Sequence, residues 1–204
     1  MNDISLPMPP AFELAIQASF GSVAAWLDDF LSCAAQAGGP AQLLFNAADG
    51  RLLNRATAQA GVPILALDQP WRTPDEAHAG LACIDWAAAY ARYQAAVLQT
   101  GEDLLVQGAD TDHARMLDVR RAGVFAQAPT MAAGARWMDP ARVDEWARQL
   151  PADARVVVYC VHGHEVSRVT ALRLRAAGVS AGFLAGGLAQ WQADGRPVMA
   201  RSAP

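Results

Sequence analysis

From Ala11 to Ala37 apolar side chains recur at spacings of three and four: Phe12, Ile16, Phe20, Val23, Trp26, Leu27, Phe30 and Leu31. That period predicts helix. Gly21 is placed to divide it in two, and Gly38-Gly39-Pro40 supplies the stop. Pro7, Pro9 and Pro10 mark an extended leader ahead of it. Leu43-Leu44-Phe45 reads as a buried strand and Asp49-Gly50 as turn chemistry. Residues 51–60 read as a helix ended by Gly61, Val62–Leu67 as a second apolar strand, and 68–80 as loop. An Ala-rich helix is predicted from about Asp85 to Gln99.

The second half alternates more sharply. Met116 to Arg120 is a short strand ending in charge, and 121–139 reads as irregular. Asp139-Pro140, an N-cap followed by proline at the first helical position, introduces a helix over Ala141–Leu150. Val156-Val157-Val158-Tyr159 is a continuous run suited to a parallel strand covered on both faces. Helices at Val166–Ala177 and Leu188–Ala193 flank a strand at Phe183-Leu184. The class is therefore α/β, with a mostly parallel sheet flanked by helices. The expected division is 1–105 and 106–204.

Composition narrows the function. At 53% hydrophobic and 18% charged, the 204 residues carry ample core material. A net charge of −4 argues against a nucleic-acid partner. All 16 basic residues are arginine, which excludes Schiff-base lysines and a P-loop lysine. Three widely spaced cysteines (Cys33, Cys83, Cys160) form neither a disulfide framework nor a zinc ladder. No apolar run is long enough to span a bilayer, so no membrane role is expected and the cytoplasm is the expected location.

The sharpest feature is Tyr159-Cys160-Val161-His162-Gly163-His164-Glu165-Val166-Ser167-Arg168. A cysteine that ends a buried strand, before a Gly-containing loop and a helix, faces backbone N–H groups and the positive end of the helix dipole. Such a nest favours the thiolate, the reactive form. Cys160 is thus the candidate nucleophile, and Val161, His162, Gly163, His164, Glu165 and Val166 the candidate substrate-binding loop. The histidines are candidate donors to an anion. Alternate loop positions are expected to point apart, and no metal or other cofactor is implied. Glu165 is at odds with an anion site, unless it points away. Ser167 is the expected cap of the following helix.

Residues from about 108 to 200 resemble a rhodanese domain. The likeness rests on Asp118-Val119-Arg120, Phe125, Gly134-Ala135, Val157-Val158-Tyr159-Cys160 and Gly178. It continues through Leu184-Ala185-Gly186-Gly187-Leu188 and Trp191 to Gly195-Arg196-Pro197, in the expected order. The resemblance implies a sulfurtransferase of the thiosulfate:cyanide class. Its Cys160 would take sulfane sulfur from a small donor such as thiosulfate and pass the persulfide sulfur to a thiol, cyanide or a sulfur-relay protein. The other reading is a non-catalytic or regulatory module that senses thiols or oxyanions, related to stress or chromate resistance. Phosphatases sharing the fold show Cys-x5-Arg; here that position is Val166, and Arg168 lies two further on. The loop also lacks the arginine or lysine of thiosulfate-using members.

The first half stays open between an unrelated α-rich or α/β cap and an inactive, degenerate second rhodanese copy. In the latter, Leu43–Gly50 overlays Val157–His164, Asn46 replaces the nucleophile and Trp71 parallels Trp191. Cys33 and Cys83 read as packing residues, with a resolving role for either left open. His78 and His113 read as solvated loop residues, and the six tryptophans as core.

Overall fold

A computed structural model describes residues 6–37, 41–56, 61–66, 74–151 and 153–201. The chain forms two compact units. One comprises 1–47 and 51–96, the other 48–50 and 97–204.

In the first unit the predicted long helix is two, α1 (Pro10–Phe20) and α2 (Val23–Ala37). They part at Gly21, whose φ of 87° lies in the left-handed region that L side chains resist. Next come β1 (Gln42–Asn46), β2 (Arg51–Arg55) and β3 (Val62–Ala66). Then α3 (Pro74–Ala82) and α4 (Trp86–Leu98) follow. Where a helix was expected over 51–60, residues 51–55 form strand β2, because Arg51-Leu52-Leu53-Asn54-Arg55 pairs antiparallel with β1 across the Asp49-Gly50 turn, and 57–60 lie outside the described residues. Propensity favoured helix, but the turn delivers this segment to the edge of β1. Part of the expected 68–80 loop is helix α3, which contains His78. Gly38-Gly39-Pro40 and Trp71 lie outside the described residues.

The sheet order is β2-β1-β3, and both of its pairings are antiparallel. The overlay on 157–164 requires a helix after residue 50, as α7 follows residue 164, and strand β2 stands there instead. Asn46 ends a hairpin strand and is not placed as a counterpart of Cys160. Trp26, Phe30, Phe12, Ile16, Phe45 and Ile64 are fully buried. The buried Asn54 meets its polar needs by accepting from Trp26 Nε1 at 3.1 Å and donating to Asp29 at 2.8 Å.

In the second unit come β4 (Leu105–Val106), β5 (Arg115–Asp118), α5 (Ala122–Gln127), β6 (Thr130–Ala132) and β7 (Arg136–Trp137). They are followed by α6 (Val143–Trp146), β8 (Arg155–Tyr159), α7 (Glu165–Ala176), β9 (Ser180–Leu184), α8 (Gly187–Ala193) and β10 (Val198–Ala200). The five-stranded sheet runs β4-β9-β8-β5-β7 with every pair parallel. The stretch 121–139, expected to be irregular, holds α5, β6 and β7, elements too short to show a period. The expected helix at 141–150 is only four residues of α-helix with 3-10 turns on either side. Its predicted cap is present, with Asp139 Oδ1 accepting from the Ala141 N–H at 3.0 Å.

Val156, Val157, Val158 and Tyr159 are at most 1% exposed, as a central parallel strand requires. Each such valine contributes about 1.5–3 kcal/mol by leaving water. Beneath the C-terminal ends of β5 and β8 lies a closed polar network. Arg120 forks onto Asp118 at 2.5–3.0 Å and reaches Thr130 O at 2.9 Å. The Tyr159 hydroxyl donates to Asp118 Oδ2 at 3.1 Å and accepts from the Ala132 N–H at 3.1 Å. Burial first, then the Asp118 charge, pushes the Tyr159 phenol above its ordinary range. The unfolded chain releases that proton from about pH 10, whereas the folded chain retains it, so stability falls as pH rises above ~10. Tyr159→Phe is expected to lessen that slope. At neutral pH it should cost about 1–3 kcal/mol, measured by denaturant unfolding, because Ala132 N–H loses its acceptor.

Candidate active site

β8 lies between β9 and β5, so its C-terminal end opens at the centre of the sheet edge where ligands of parallel α/β folds bind. Cys160 is the first residue beyond that end. The chain then turns through residues 161–164 and enters α7 at Glu165, one residue earlier than expected.

Two glycines allow the turn. Gly163 has φ +71°, and a Cβ there would lie 2.7 Å from Leu184 O. Gly187 has φ +59°, and a Cβ there would lie 2.6 Å from both Cys160 O and Gly163 N. With neither Cβ present, the first turn of α8 reaches the loop. Leu188 N–H donates to Cys160 O and Ala189 N–H to Val161 O, both at 2.9 Å. The loop carbonyls are thereby fastened to α8. Among the described residues, the N–H groups of Val161, His162, Gly163 and His164 have no protein acceptor. Loop amides left over in this way are available to an anion or a sulfur atom.

Cys160 itself is buried, at 7% exposure. Its Sγ lies 3.3 Å from Ser167 Oγ, and that hydroxyl also lies 3.4 Å from His164 O. Ser167 was expected to cap the helix. It sits inside the first turn of α7, fully buried, because the helix starts early and its side chains lean back toward the N-terminus. The hydroxyl can donate either to the carbonyl or to the sulfur. Ser167→Ala is therefore expected to slow alkylation of Cys160 about 5- to 10-fold, the worth of one net hydrogen bond.

Glu165 is turned to Arg121, whose guanidinium meets its carboxylate at 2.6 Å. The pair is partly sheltered, with side-chain exposures of 27% and 11%. Arg121 was missed in the sequence. The signal was present in the topology, since a residue just past β5 must lie beside the loop just past β8 when the two strands run parallel. His162 and His164 are both exposed, and their rings lie 5.9 Å apart. The expectation that alternate loop residues point apart fails here, because the Gly163 turn between them brings both rings to one side. Val161 and Val166 are half-buried. Arg168 faces elsewhere, donating to Leu98 O at 3.1 Å and stacking over the Phe183 ring at 4.6 Å.

Cys33, on α2, is half-buried, and burial followed by the Asp29 charge pushes its thiol up. Cys83 is exposed, contrary to the packing role expected of it. Its position just past the last turn of α3 puts it outside the core. His113 is exposed and has φ +62°. Trp26, Trp86, Trp146 and Trp191 are buried, as a core role requires.

A parallel α/β sheet with a cysteine-led loop on its C-terminal edge, backed by a double glycine, defines a class of thiol-bearing cradle. Residues 102–194 match the family model described as the rhodanese-like domain. Over this stretch the chain belongs to the rhodanese-like family. The rhodanese-like domain of the Alr3790 protein from Anabaena sp. is 31% identical, with 42% of this chain and 80% of that one covered at a TM-score of 0.38. A full-length protein from Lactobacillus plantarum is 26% identical, covering 51% and 93% at 0.43. A thiosulfate sulfurtransferase from Pseudomonas aeruginosa is 24% identical, covering 43% of this chain but 16% of that one at 0.37. No curated protein matches the chain. Family membership points to sulfurtransferase-type or related chemistry. Among the described residues no helix is long and apolar enough to cross a membrane.

Proposed function

We propose that the second unit carries sulfane sulfur as a persulfide on Cys160, moving it from a small donor to a thiol or cyanide. The observation that carries this reading is the loop whose carbonyls are tied to α8 while its amides are left without protein acceptors beside a cysteine. In the first step the Cys160 thiolate attacks the outer sulfur of thiosulfate, the S–S bond breaks, and sulfite leaves with the bonding pair. In the second, the acceptor attacks the terminal sulfur of the persulfide and the Cys160 thiolate is released. Val161, His162, Gly163, His164, Glu165 and Val166 form the cradle, with the loop amides facing the transferred sulfur. A reducing compartment such as the cytoplasm suits a free thiol in this role.

The test is formation of thiocyanate from thiosulfate and cyanide, together with the intact mass of the protein after donor alone. A gain of one sulfur on the peptide containing Cys160 supports the proposal, and an unchanged mass sinks it. The 7% exposure of Cys160 favours a second reading, in which the domain binds an anion or a partner without turnover. Iodoacetamide separates the two, since a carrier cysteine is labelled near neutral pH and an inaccessible one is not.

A further inference from the structure

Arg168, the arginine that follows the loop along the chain, is committed to Leu98 O and the Phe183 ring. The cation that does reach the loop is Arg121, supplied by the neighbouring strand end, and it is bound to Glu165 at 2.6 Å in a partly sheltered pair. We propose that the Arg121–Glu165 pair sets donor selectivity, holding the cradle near electrical neutrality so that it takes persulfides (R–S–SH) in preference to the dianion thiosulfate. This inference rests on the sulfur-transfer reading of Cys160.

The charge balance of the two reactions decides between the donors. Thiosulfate attack by the Cys160 thiolate gathers three negative charges and gives the Cys160 persulfide anion and sulfite. Attack on the terminal sulfur of R–S–SH gathers one, giving Cys160–S–SH and the thiolate R–S⁻, with the proton retained on the transferred sulfur. Extra negative charge in a sheltered site requires a compensating cation. Arg121 is already balanced by the Glu165 carboxylate at 2.6 Å, so the pair offers thiosulfate no net positive charge. Loop amides serve either donor.

The experiment is single-turnover loading of the full-length protein with an alkyl persulfide of uncharged R group or with thiosulfate, read as the rate of sulfur gain at Cys160 by intact mass. Wild type is expected to load from the persulfide at least ~10-fold faster per mole of donor, a difference attributable to the extra charges in a partly desolvated site. Glu165→Gln removes the competing carboxylate. It is expected to raise the ratio of thiosulfate to persulfide loading rates about 10-fold. Arg121→Gln is expected to slow thiosulfate further. Selectivity proposed here is overturned if wild type prefers thiosulfate, or if Glu165→Gln leaves the donor ratio where it was. The wild-type ratio needs no variant, so a misfolded mutant does not protect the proposal. Loading from both donors without selectivity would sink this inference alone, whereas loading from neither would sink the sulfur-transfer reading along with it.

Discussion

Cys160→Ser is expected to abolish thiocyanate formation, with a loss of at least ~10³-fold and no sulfur gained on treatment with donor. A serine alkoxide is not accessible near neutral pH, and an oxygen in this place cannot form the persulfide. The substitution removes one atom's polarisability from a buried position and keeps its shape, so the melting temperature should move by only a few degrees. Measuring thiocyanate and unfolding on the same preparation separates chemistry from folding. A variant that kept a tenth of wild-type turnover would show that the sulfur is carried elsewhere. Cys33 and Cys83 would then be the residues to test, as the remaining thiols of the chain.

Gly187→Ala should be nearly as damaging without touching a reactive group. The added Cβ would lie 2.6 Å from Cys160 O, 2.6 Å from Gly163 N and 2.7 Å from Val161 O, and all three atoms are backbone that cannot swing aside. The positive φ at this position adds strain for any L side chain. The loop must then separate from α8, losing the hydrogen bonds from Leu188 and Ala189 that fix its carbonyls. Turnover is expected to fall about 10²-fold or more, with a stability loss of ~1–3 kcal/mol. Gly195→Ala is the control. Its φ is also positive, but a Cβ there meets nothing within 4 Å, so it should show strain without the loss of turnover. If the two variants lost activity equally, the close packing of the double glycine would not be what shapes the loop.

Much of this architecture is legible in the residues alone. The unbroken Val156–Tyr159 run suited a parallel strand covered on both faces, as found, and the glycine in the loop after Cys160 was visible along the chain. Strand β2 was not legible. Leu52, Leu53 and Asn54 carry no period that separates edge strand from helix, and only pairing with β1 resolves it. The short β6, β7 and β10 were hidden for the same reason, being two or three residues long and defined wholly by their partners. At the site, Cys160 and its loop could be picked out because strand, glycine and helix follow one another along the chain. Arg121 could not, being 44 residues from the Glu165 it holds. Ser167 was visible, but its place beneath the sulfur depended on where α7 begins.

Local order therefore determined which atom is the candidate sulfur carrier and that a cradle of amides follows it, since both are properties of contiguous backbone. Tertiary structure decided the ion-pair partner of Glu165 and the hydroxyl beside the sulfur. Those depend on side chains brought together by parallel strand alignment and by helix phase, and Coulomb and hydrogen-bond terms act through space, with no regard for separation along the chain.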